Sequence, residues 1–142
     1  MALTYQAIAT VTVGSGGAAN IEFTSIPGTY TDLIIKTSIR TTASDVTDTV
    51  GISFNSNTAN YSWQRLRGNG TNVTSASGSA ENDVETGYAA GDNATASTFG
   101  NLEFYIPNYA SSNNKSFSSD GVSENNATEA YRSEERRVGK EC

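Results

Sequence analysis

The stretch Phe99–Tyr131 constrains this chain most, because it contains a strand, a stop and a reversal in succession. Leu102, Phe104 and Ile106 alternate with Glu103 and Tyr105, the period of two expected when one face of a strand is buried and the other is wet. Pro107 has no N–H to offer a sheet ladder and ends the run. The Asn108–Asn114 segment after it is built from turn residues, so the chain reverses before a second extended run, Lys115–Val122. A hairpin with a polar loop is predicted here.

The rest of the chain repeats that style in shorter runs. Leu3–Val13 alternates Thr10 and Thr12 with Ala9, Val11 and Val13 and reads as a strand broken by the glycine-rich turn Gly14–Gly17. Ile21 and Phe23 form a second short strand leading into Ile26–Pro27–Gly28–Thr29, where proline followed by glycine predicts a type II turn. In Asp32–Arg40, Leu33, Ile35 and Ile39 share one face, with Lys36, Ser38 and Arg40 on the other. Thr41–Asp48 reads as a polar loop, Val50–Phe54 as a strand, Asn55–Asn60 as a turn and Tyr61–Leu66 as a strand. Gly68–Ala80 is low in complexity and reads as a long exposed loop with at most one weak strand, and Tyr88–Ser97 as a strand end and loop. Several short strands separated by turn signals predict an all-β domain, an antiparallel β-sandwich of jelly-roll type.

Composition narrows the chemistry. The chain has no histidine, which removes the commonest general base and transition-metal ligand. Its single cysteine is Cys142. Fifteen Asp and Glu against nine Lys and Arg argue against a phosphate-binding surface, so nucleic acid is not an expected partner. The N-terminal residues lack the basic start and continuous apolar core of a secretory signal, and no window approaches a membrane-spanning length, so neither membrane insertion nor conventional export is expected. Gly14–Gly17 and Gly68–Gly70 lack the spacing of a phosphate-cradling loop. Five Asn-x-Ser/Thr triplets begin at Asn60, Asn69, Asn72, Asn93 and Asn126, as expected by chance from a chain rich in these residues.

Two groups of residues are candidate sites. Tyr61, Trp63 and Arg65 fall on one face of a strand, and with Tyr109 in the loop after Pro107 they could stack on sugar rings; the plainer reading is core or inter-subunit packing. Glu81, Asp83 and Glu85 are spaced by two, so an extended backbone would aim all three carboxylates one way, as a calcium ion requires. The plainer reading of those is a solvated strand face. A glycosidase needs two carboxylates across a cleft, and nothing in the spacing selects a pair, so no catalytic residue and no cofactor is expected.

The last eleven residues, Arg132–Cys142, break the style of the chain, holding four of its nine basic and three of its fifteen acidic residues. Their sequence, RSEERRVGKEC, closely resembles the translation of a sequencing-library adapter, and the expectation is a single domain over 1–131 followed by an artefactual tail. Within 1–131, the motifs FTSIPGTYTDL (Phe23–Leu33), ISFN (Ile52–Asn55), FGNLEFYIPNYASSNNKSF (Phe99–Phe117) and VSENNATEAY (Val122–Tyr131) resemble a family of tailed-bacteriophage virion structural proteins found in aquatic metagenomes. That resemblance implies a non-enzymatic virion component. The leading expectation is a tail-fibre or receptor-binding head contacting host surface glycans and forming a homo-oligomer, a trimer at a fibre tip. The alternatives are a capsid-decoration or neck protein that only packs against other virion proteins and, furthest off, a polysaccharide-degrading enzyme. Members of the family continue past VSENNATEAY through further strands, so the resemblance also implies a domain truncated at its C-terminus.

Overall fold

The computed structural model describes residues 5–124 and 130–136, with side chains described from 5 to 123. It divides the chain into two compact units, Met1–Tyr30 and Thr31–Cys142.

In the first unit, the described residues form no strand. The described residues of the expected strands at Leu3–Val13 and Ile21–Thr24 join no ladder. Alternation fixes which way side chains point; a strand also needs a neighbour to take its N–H and C=O groups. The glycine-rich turn is present, closed by the Gly17 N–H donating to the Gly14 carbonyl at 3.0 Å, with Gly17 at φ 74°. The type II turn is not. It requires a positive φ at Gly28, and the positive φ in this stretch belongs to Ser25.

The second unit is all-β and antiparallel. Its strands are β1 (Leu33–Ile39), β2 (Thr47–Ile52), β3 (Tyr61–Gly68), β4 (Val73–Glu81), β5 (Val84–Ala90), β6 (Gly100–Ile106), β7 (Ser118–Glu124) and β8 (Ala130–Arg136). Six of them form one sheet in the order β1-β6-β7-β8-β3-β4, while β2 and β5 form a two-stranded sheet. The smaller sheet packs on the larger through β5, which lies against β7, β6 and β3. Tyr61, Val84, Leu102, Phe104, Ile106 and Phe117 are the buried core between the layers, with Leu33, Ile35, Val50, Ile52 and Phe54 packed around them.

The predicted hairpin is the spine of this unit. β6 alternates buried and exposed residues without a break and pairs with both β1 and β7, Phe104 facing Ile35 on one side and Ser119 on the other. The reversal after Pro107 is pinned by Asp32, whose carboxylate accepts from the Tyr105 hydroxyl and the Asn108 N–H, each at 2.9 Å. Lys115 is 4% exposed. Its ammonium is caged by the loop itself, donating to Ser111 Oγ and the Asn113 carbonyl at 2.7 Å and to the Ser111 carbonyl.

β2 starts at Thr47, inside the expected Thr41–Asp48 loop, and ends at Ile52. Two other segments differ more from expectation. Gly68–Ala80 is mostly β4, paired with β3 along its length from Gly68↔Val73 to Tyr61↔Glu81. Its Ser, Ala and Gly side chains carry no hydrophobic period because β4 is an edge strand with little to bury, so only backbone pairing marks it. The second is Glu81–Glu85, which is no continuous strand: Glu81 ends β4, Asp83 lies in the connection, and Glu85 belongs to β5 in the other sheet. At the C-terminal side, backbone residues Arg132–Arg136 pair within β8 between β7 and β3, and 137–142 lie outside the described residues.

Candidate functional site

β3 and β5 face each other across the two layers, and their facing side chains form an alternating stack of cations and rings. Trp63, Arg65 and Arg67 recur at every second position of β3 and so share a face. Opposite them stand Glu85 and Tyr88 of β5, which are three residues apart and in a regular strand would point to opposite faces. A bulge reconciles them: Val50 pairs with Gly87 and Gly51 with Glu85, which leaves Thr86 as an extra residue and brings Tyr88 onto the side of Glu85. Thr86 is fully buried and holds the bulge, its hydroxyl donating to the Val50 carbonyl at 2.6 Å while its own carbonyl accepts from Ser119 Oγ at 3.0 Å.

The Arg65 guanidinium lies 5.3 Å from the Trp63 ring centre and 5.0 Å from that of Tyr88, and Arg67 stands 5.1 Å from Tyr88. Arg65 also donates to Glu85 Oε2 at 2.7 Å, with side-chain exposures of 9% and 28% for the pair. Arg67 donates to the Tyr88 hydroxyl at 2.7 Å. Each cation over a ring contributes about 0.5–2 kcal/mol, rising as water is excluded. The stack therefore ties β3 to β5 by polar contacts where the apolar core gives out. Trp63 closes one end, its indole lying against Gly78 of β4, where any Cβ would sit 2.6 Å from Nε1.

The sugar-stacking candidates are dispersed by this arrangement. Tyr61 is 1% exposed, pulled into the core by a hydroxyl that accepts from the Phe54 N–H at 2.9 Å and donates to the Asn57 carbonyl at 3.2 Å. Trp63 and Tyr109 are half-buried and pack on the core cluster, and Arg65 is engaged by Glu85. Trp63 and Arg65 do meet; Tyr61 and Tyr109 are not part of the stack. The carboxylates of Glu81, Asp83 and Glu85 diverge. Glu81 lies beside Gly78, Asp83 over Gly51 of β2, and Glu85 on Arg65. Among the described residues no three acidic groups gather where a metal ion could be held.

Arg67 and Tyr88 were not anticipated. Arg67 continues the period of Trp63 and Arg65, a signal present in the sequence; Tyr88 depends on the bulge at Thr86, which leaves no local mark. A second feature lies on the outer face of the six-stranded sheet, a shallow open groove of about 540 Å³ whose lining includes Lys36, Asn101, Glu103, Asp120 and Val122. Lys36 and Glu103 bridge across it at 2.8 Å. No protein-family model, no curated protein and no solved structure matches this chain.

Proposed function

We propose that this protein is a structural component of a tailed-bacteriophage virion, acting by packing against its own copies and neighbouring virion proteins in the manner of a capsid-decoration or neck protein. The observation that carries the packing role is the engagement of the aromatic residues: Tyr61 is core, and Trp63 is stacked against Arg65 and Gly78. The virion setting rests on the resemblance of Phe23–Leu33, Ile52–Asn55, Phe99–Phe117 and Val122–Tyr131. A jelly-roll sandwich is the finer fold assigned here, with β2 and β5 as the smaller layer on an antiparallel sheet.

The receptor-binding head is a second reading with an observation of its own. The outer groove presents Asn101, Glu103 and Asp120, the amide and carboxylate groups that hydrogen-bond sugar hydroxyls, and Tyr105 on the same strand face is 41% exposed. Mass spectrometry of density-purified particles of a phage encoding this sequence tests the virion role: its peptides are expected in stoichiometric amounts with the other structural proteins, and their absence would reject it. A glycan array separates the two readings. Binding abolished by Glu103→Ala would favour the receptor-binding head, and no binding favours packing.

A further inference from the structure

The described part of Met1–Tyr30 buries almost nothing. Every side chain from Tyr5 to Tyr30 is exposed apart from a half-buried Phe23. Its large apolar residues, Tyr5, Ile8, Val11, Val13, Ile21, Ile26 and Tyr30, are between 38% and 74% exposed. Between Tyr5 and Ile26 the one backbone hydrogen bond among the described residues closes the Gly14–Gly17 turn. Fixing the backbone of such a segment costs conformational entropy, and burial within the unit does not offset it. An apolar surface of this continuity belongs against something.

Charge identifies what. Glu22 is the one charged side chain in residues 1–30, while all nine Lys and Arg and the other fourteen Asp and Glu lie in 31–142, which therefore carries −5. Two copies of the chain repel most through the larger unit and least through the smaller, where each carries a single carboxylate. The residue pattern adds a register. Around Thr10, an antiparallel pairing of Ala7–Val13 with itself sets Ala7 against Val13, Ala9 against Val11, Ile8 against Thr12, and Thr10 against Thr10. Ala7, Ala9, Val11 and Val13 then form one unbroken apolar face from both copies, small side chains opposite large ones, and the threonines fall on the other face. A two-fold axis through Thr10 makes the contact isologous.

We propose that Ala7–Val13 is a self-pairing β-segment through which a second copy of this chain docks, with Thr10 on the two-fold axis. A two-stranded ribbon alone is marginal, and Ile21 and Phe23 of each copy, just beyond the glycine turn, supply further apolar cover. This assembly is two-fold where a fibre tip would be three-fold, and it does not rest on the virion reading.

The test is light scattering of the full chain across the micromolar range, with cysteine cross-linking in a Cys142→Ser background. The wild type is expected to dimerise, or to form a larger even-numbered assembly, and Val11→Asp with Val13→Asp to weaken association by at least about tenfold. Because both valines are exposed, unchanged tryptophan fluorescence and cooperative unfolding confirm that the variant is folded. Thr10→Cys should oxidise to a covalent dimer, since residues on the axis face each other within disulfide reach, whereas Thr12→Cys faces Ile8 of the second copy and should not. A monomer at every concentration overturns the proposal, as does association indifferent to the two aspartates or equal cross-linking at positions 10 and 12. If Ser77→Lys on the free edge of β4 dissociates the assembly and the aspartates do not, the copies meet at that edge and the N-terminal segment is not the interface.

Discussion

At the scale of single residues, stability concentrates in polar groups that the fold has closed off. The Tyr61 hydroxyl is the partner of the Phe54 N–H at 2.9 Å, so Tyr61→Phe leaves a part-buried donor unmet. The expected cost is about 1–3 kcal/mol, read as a lower urea midpoint with an unchanged slope. Lys115 is a second case, a buried ammonium whose partners are loop carbonyls and a serine hydroxyl. Lys115→Met keeps the length and removes the donors; faster amide exchange across Asn108–Asn114 and a loss of roughly 1–3 kcal/mol are expected. Wild-type exchange in that variant would show that the cage is incidental. The ion pair of Arg65 and Glu85 is less exposed than that of Lys36 and Glu103, where both partners are at least half exposed. A double-mutant cycle should therefore give a coupling of roughly 1.5–3 kcal/mol at the first pair and under about 1 at the second.

Elements here are set as much by irregularity as by pattern. Thr86 and the bulge it occupies turn Tyr88 toward Arg65 and Arg67, and Gly78 gives the Trp63 indole its place on β4. Gly78→Val forces the indole away, since its Cβ would lie 2.6 Å from Nε1 and 2.7 Å from Cε2. A shift of tryptophan emission to longer wavelength and a loss of about 1–3 kcal/mol are expected; emission unchanged from wild type would mean that the stack does not depend on this contact. These devices also mark where reading by residue pattern stops. β6 is legible because its buried and exposed faces alternate strictly, and β1 because Leu33, Ile35 and Ile39 share a face. β4 is illegible because Ser, Ala and Gly on an edge strand leave no hydrophobic period, and the grouping of Glu81, Asp83 and Glu85 fails because a change of sheet falls in their midst.

For the whole molecule, the two units invite different measurements. The larger has a core and two layers; the smaller exposes its apolar residues and carries one of the chain's charged side chains. If copies associate through Ala7–Val13, the association free energy adds to folding only where segment order is coupled to the larger unit. The melting temperature should then rise with protein concentration in the wild type and not in the Val11→Asp, Val13→Asp variant. Equal concentration dependence in both proteins would place the association elsewhere.

Local chemistry in the sequence determined the all-β class, the hairpin around Pro107, the glycine turn at Gly14–Gly17 and the adjacency of Trp63 to Arg65. Each of these follows from side chains a few residues apart on a backbone of known period. Tertiary structure alone decided that the N-terminal alternation forms no strand among the described residues, that Gly68–Ala80 pairs along β3, and that Tyr88 joins the arginines. A ladder partner, an edge position and a bulge are relations between distant segments. The physical reason is that hydrogen bonds between strands join backbones, which every residue but proline supplies alike, so the side chains say which face is buried and not which strand lies alongside.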